Sequence, residues 1–191
     1  TADSQFDRVN AHAITYEQPL ERDLSWSTYA SWSEVNPDIV NFNQTGVSWL
    51  WGGSIKKLLN KTRTLEESIS TGFEFKSTNN SLEFGGTGLS NSIAELAQLN
   101  FSYDFYEYGG CDQYTRINAD TWIGVGPGFS THNNAESFNT IRANSSPSYV
   151  YGRLQYEEAL NVDEGNRWQA VLRATGQASS DRLLFSETLG L

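Results

Sequence analysis

The sequence predicts an all-β chain, an antiparallel transmembrane β-barrel segment of about eight strands. Three observations carry this. Apolar and polar residues alternate in about eight segments, and a period of two puts neighbouring side chains on opposite faces of a strand. No apolar run approaches the ~18 to 20 residues of a membrane-spanning helix, whereas a β-strand crosses a bilayer with about 9 to 11. Short and long connections also follow one another in turn. Outer-membrane barrels do the same, with tight periplasmic turns and extracellular loops that are free to grow.

The strands follow in order. Val9, Ala11 and Ala13 alternate with Arg8, Asn10 and His12. Leu24, Trp26, Thr28, Ala30 and Trp32 alternate with Ser25, Ser27, Tyr29, Ser31 and Ser33. Val47, Trp49, Trp51 and Ile55 form the apolar set of the third segment. In the fourth, Ile69, Thr71, Phe73 and Phe75 oppose Ser68, Ser70, Glu74 and Lys76. The fifth is the most regular, with Ala97, Leu99, Phe101, Tyr103 and Phe105 against Gln98, Asn100, Ser102 and Asp104. The sixth sets Ile117, Ala119, Thr121, Ile123 and Val125 against Arg116, Asn118 and Asp120. The seventh sets Val150, Leu154 and Tyr156 against Tyr151, Arg153, Gln155 and Glu157. In the eighth, Trp168, Ala170, Leu172, Ala174, Gly176 and Ala178 alternate with Gln169, Arg173, Thr175, Gln177 and Ser179. The best helical candidate, Ser92 to Gln98, fits the strand template at least as well and has no cap.

The connections at 17–22, 57–63, 108–113 and 161–166 are short. Those at 35–43, 77–92 and 126–146 are longer and rich in Asn, Ser, Thr and Gly. No Arg or Lys falls in the assigned apolar sets; Arg8, Arg116, Arg153, Arg173 and Lys76 all take the other face. A lipid-facing Arg or Lys near mid-membrane costs ~2 to 4 kcal/mol, so this segregation suits a wall with hydrocarbon on one side. Trp26 and Trp32, or Trp49 and Trp51, suit the aromatic belts at the membrane surfaces. The alternative is a soluble β-sandwich with an aromatic-rich core.

The net charge of −10 argues against nucleic acid as a partner, since phosphate binding needs clustered cations. Cys111 is the single cysteine, so neither an internal disulfide nor a thiolate metal cluster is expected. No Met and no charged-then-apolar leader is present, so any signal peptide is expected to lie outside this chain. His12 and His132 have no partners at metal-ligand spacing and read as a lumen residue and a loop residue. Glu157 and Glu158 are strand neighbours and point to opposite faces, and Asp163-Glu164 reads as a solvated turn. No nucleophile, dinucleotide, phosphate-loop or calcium motif is present. The chain is therefore expected to be no enzyme and to use no cofactor or metal.

The final run, GQASSDRLLFSETLGL, combines Gln177, Ser179, Ser180, Leu183, Leu184, Ser186, Glu187, Leu189 and Gly190 at the end of a strand. It resembles the region of two-partner-secretion outer-membrane transporters, the hemolysin-activator type, that enters their inward-folded loop. Thr188 and Leu189 stand where many relatives have a Phe after the Glu. A second stretch, YEQPLERDLSWSTYASWSEV at 16–35, is similar to the family's tyrosine, Pro-Leu turn and Ser-rich outward strand. Barrel-assembly insertases share this architecture.

The resemblance implies a barrel of about sixteen strands in the outer membrane of a Gram-negative bacterium. This chain would form half of it, a curved open sheet, with the periplasmic domains and remaining strands elsewhere. It implies an inward loop that starts at Ser179 and Ser180 and runs through Leu184, Ser186, Glu187 and Gly190. The partners implied are a secreted polypeptide and outer-membrane lipid. The expected function is translocation of that polypeptide, unfolded, through a polar lumen. Gln98, Asn100, Ser102, Asp104, Arg116, Asn118, Asp120, Arg173, Thr175 and Gln177 are the expected lining. An insertase barrel of the same superfamily, and a soluble extracellular carbohydrate-binding β-sandwich, are the alternatives.

Overall fold

The computed structural model describes residues 9–35, 38–39, 42–84, 87–110, 113–163 and 168–188. Its strands are β1 Val9–Pro19, β2 Leu24–Val35, β3 Asp38–Ile39, β4 Phe42–Lys61, β5 Leu65–Phe84, β6 Thr87–Gly110, β7 Gln113–Gly124, β8 Val150–Asn161 and β9 Gln169–Ser179. They form one antiparallel sheet in the order β1-β2-β4-β5-β6-β7-β8-β9, with the short β3 paired to β4. Each main strand pairs with its neighbour in sequence, so the sheet is a meander with β1 and β9 at its edges. It is open, as expected. A short helix, α1 Ala135–Ile141, and a 3-10 turn, Phe185–Glu187, complete the described elements.

The register gives the sheet two chemically distinct faces. One row runs Tyr16, Thr28, Gly53, Phe73, Leu99, Ile123 and Val150, and the next adds Trp26, Ile55 and Phe101. Rows on the opposite face join Ser27 to Ser54 and Asp104 to Asn118, Gln155 and Thr175. Both α1 and the 183–184 segment pack on this polar face, where Phe138, Leu183 and Leu184 bury against Ala94, Leu96, Tyr149 and Tyr151. The core therefore sits on the polar side of the sheet, at the end where the long connections lie.

Several expectations need correction. The stretch 77–92 is not a loop: β5 runs to Phe84 and β6 starts at Thr87, so its polar residues lie in two long paired strands. Backbone pairing across that hairpin overrides a composition that reads as loop. Ala11 and Ala13 pair with Ser33 and Ser31 on the polar face, so the first strand's faces are inverted. His12 accordingly leaves the expected lumen side and stacks on Trp32 at 5.9 Å on the apolar face. Strand β4 continues beyond Ile55, which puts Lys57 on the apolar face as the one Lys or Arg of a strand there among the described residues. The connection 126–146 contains α1, whose start is capped by the Asn134 side chain accepting from the Ser137 N–H.

Candidate functional site

All ten expected lining residues share the polar face. Asp104 pairs with Asn118, Ser102 with Asp120, and Arg116 with Glu157 and through it Arg173. Asn118 and Asp120 align with Gln155 and Arg153, and these with Thr175 and Gln177. Gln98 and Asn100 continue the β6 row. The Asn118 amide donates to Asp104 at 2.8 Å and to Asp120 at 3.4 Å. Glu157 accepts from the Tyr114 hydroxyl and from Arg173 at 2.9 Å. Glu158 takes the opposite face, where Tyr156 donates to it at 2.8 Å, so these neighbouring carboxylates do not converge.

Two of the ten are engaged in packing: Gln98, and Gln177, whose amide is taken by the segment that follows β9. Gln98 is fully buried: its amide donates to Glu74 at 2.7 Å and its carbonyl oxygen accepts from the Tyr149 hydroxyl at 2.9 Å. The other Glu74 oxygen accepts from Tyr29 at 2.9 Å. Gly52 makes that reach possible, and Gly72 lets the neighbouring strands approach. A Cβ on Gly52 would stand 2.7 Å from the Tyr29 hydroxyl, and one on Gly72 only 2.5 Å from the Gly53 carbonyl oxygen. Beside this network runs a hydroxyl ladder the sequence did not single out, Ser27 to Ser54 at 2.9 Å and Ser33 to Ser48 at 2.7 Å.

The expected loop-start residues form a docked segment. Ser179 ends β9, and the Ser180 hydroxyl accepts from the Val150 N–H at 3.0 Å, which ties the chain to the start of β8. Ser145 and Arg182 form a parallel bridge, and Arg142 donates to the Leu183 carbonyl at 2.6 Å. Leu184 is buried, Ser186 is exposed, and Gly190 lies outside the described residues, as does Cys111. Glu187 is the anchor. It is buried and accepts from Lys76 at 2.7 Å, from Tyr151 at 2.8 Å and from Ser186 at 3.0 Å. Its backbone carbonyl accepts from Gln177 at 2.8 Å.

Burial opposes the Glu187 charge. The Lys76 ammonium and the hydrogen bonds from Lys76, Tyr151 and Ser186 outweigh it, holding the carboxyl below the ordinary carboxylate range. Tyr151 in turn stacks on Trp122 at 4.7 Å, and the Arg153 guanidinium sits 5.4 Å over that indole. Sequence reading marked Glu187 but not Lys76, because the two are 111 residues apart and no local spacing links them.

Elsewhere, the His132 backbone N–H donates to Glu95 at 3.3 Å. Among the described residues no group of three or more His, Cys, Asp or Glu could hold a metal ion. No helix among them is long and apolar enough to cross a membrane, which says nothing of crossing by strands. No family model, curated protein or solved structure matches the chain.

Proposed function

We propose that this chain is wall of an outer-membrane β-barrel transporter that passes an unfolded secreted polypeptide through a polar lumen. One observation carries the reading: beyond the row of Phe75 and Ala97, which is buried, the apolar face is left uncovered, while the polar face receives α1 and the 183–184 segment. Leu99 is 39% exposed, Phe101 46% and Leu172 59%. Near the long-connection end the connection after β7 crosses this side, where Phe129 rests on Phe73 and Phe75 and the His132 ring meets Glu95 at 3.6 Å. A soluble β-sandwich does the reverse, burying the apolar face against a second sheet. Soluble monomers rarely expose an apolar patch beyond about 600 Å².

Strand length supports the same reading. Strands β1, β2, β7, β8 and β9 have 11 or 12 residues. At ~3.3 Å per residue and a tilt of ~45°, eleven residues rise roughly 25 Å, the height of a barrel's apolar band. Hydrocarbon satisfies no backbone hydrogen bond, so the open edges of β1 and β9 are where further wall strands would pair.

The mechanism is physical. Side chains such as Asn118, Gln155, Thr175 and Ser102 offer donors and acceptors that hydrate an extended chain without selecting its sequence. No bond is made or broken in the cargo, and binding stays weak enough for it to leave.

Single cysteines in a Cys111→Ser background of the full-length protein test the two faces. Asn118→Cys should react with a charged thiol reagent added to intact outer membranes, and Phe101→Cys only with a lipid-soluble one. Equal labelling of both by the charged reagent, together with no conductance in planar bilayers, would reject the reading.

A further inference from the structure

We propose that the apolar face carries a site for one zwitterionic phospholipid. Its phosphate sits on Lys57, its headgroup ammonium on Glu67, and one acyl chain in the trough that leads away from them. The proposal rests on the reading that this face meets a bilayer, and it adds a ligand and a place.

The trough consists of two adjoining depressions. The first, about 730 Å³, is lined by Lys57, Ile55, Ile69, Phe101, Ala119 and Thr121. The second, about 610 Å³, lies between Trp26 and Trp51 over Gly53, and both share Ile55 and Thr71. Each is the size of an ordinary small-ligand site. The relief comes from composition: Gly53, Thr71, Ala119 and Thr121 are short, while Trp26, Trp51 and Phe101 stand tall beside them. An acyl chain lying there recovers dispersion contacts that a fluid lipid shell only samples.

The charges are placed at one end of this trough. Lys57 is cross-strand from Leu24, the first residue of β2, which sets it at the short-turn boundary of the apolar band. A cation at that height costs ~0 to 1 kcal/mol, against ~2 to 4 at the midplane, and its flexible stem reaches the headgroup layer. No ion pair or hydrogen bond engages the Lys57 ammonium among the described residues, and the residue is exposed. Glu67 is the next residue on the same face of β5 from Ile69, the cross-strand partner of Lys57. The two are thus diagonal neighbours, at a spacing of about 7 to 8 Å. Tyr103 donates to one Glu67 oxygen at 2.7 Å, which leaves the other for an ammonium. An anionic lipid such as phosphatidylglycerol would bring phosphate to Lys57 but only neutral hydroxyls to Glu67, so the pair favours a headgroup that carries both signs.

Native mass spectrometry of the full-length protein in mild detergent, with added dioleoyl phosphatidylethanolamine or phosphatidylglycerol, tests this. The wild type should retain one phosphatidylethanolamine in preference to phosphatidylglycerol. Lys57→Gln should weaken retention about tenfold, the loss of one charge-assisted contact. Glu67→Gln should abolish the preference between the two lipids. Thr121→Phe, which fills the trough and leaves both charges, should also lose the adduct. Adducts indifferent to Lys57, or displaced by inorganic phosphate, would overturn this site alone. A protein that stays monomeric without detergent and takes up no lipid would overturn the membrane reading and the site together.

Discussion

Lys76 and Arg173 each hold a glutamate across the polar face, one toward each end of the sheet. The Lys76 side chain is 24% exposed and its partner Glu187 5%, at 2.7 Å. The Arg173 side chain is 71% exposed and its partner Glu157 26%, at 2.9 Å. Lys76, Glu157 and Arg173 lie on strands that alternate in the same way, whereas Glu187 is brought by the segment that covers its end of the face. At the long-connection end, α1 and the 181–188 segment cover the face and bring Phe138, Leu183 and Leu184 with them. At the other end nothing described covers it, and Tyr106 and Tyr108 remain exposed beside Arg116. Equal chemistry thus has unequal consequences. A covered charge is held by several partners at once, while an uncovered one keeps water as an alternative.

This contrast can be broken from its strongest point downward. Glu187→Ala strands the Lys76 ammonium and leaves the Tyr151 hydroxyl unpaired. The docked segment should lose about 3 to 5 kcal/mol, seen as faster hydrogen exchange over 181–188. Replacing both Lys76 and Glu187 with Leu should recover much of that loss, because no charge is left buried. Leu184→Ala should cost about 2 to 5 kcal/mol in the same measurement, as it opens a cavity against Phe138.

Acid sharpens the comparison. The Glu187 carboxyl is depressed in the folded protein, so its contribution is fully present above the unfolded value of about 4.3 and is lost as pH falls through the folded one. Exchange over 181–188, corrected for intrinsic rate, should rise in that window. In Glu187→Gln it should not. Last and smallest, Arg173→Gln should leave the thermal midpoint unchanged, since solvent takes over from the guanidinium at so exposed a pair. A large loss there would show that both ends of the face are equally covered.

Much of the polar face was legible in advance. On β6 the strict alternation from Ala97 to Phe105 assigned Gln98, Asn100, Ser102 and Asp104 to one side, because large apolar residues declare the other. On β1 the same reasoning failed. Ala11 and Ala13 are small enough for either face, and the Trp32 ring drew His12 to the apolar one. Helix α1 was overlooked within an Asn- and Ser-rich stretch, although Asn134 three residues before Ser137, with Glu136 in the first turn, is an N-terminal signal. Lys57 is not legible because the polar run at 57–63 reads as a turn, whereas pairing with β5 carries β4 on to Lys61.

What the sequence alone determined is the alternation and its consequence, an all-β chain with one apolar and one polar side. That follows from strand geometry, which acts between adjacent residues and needs no distant partner. Only the tertiary structure decided which side would be covered. The Tyr29 hydroxyl reaches Glu74 across 45 positions, and Lys76 meets Glu187 across 111. Such contacts depend on register summed over many strands and on where the chain returns, and neither quantity is written in any local period.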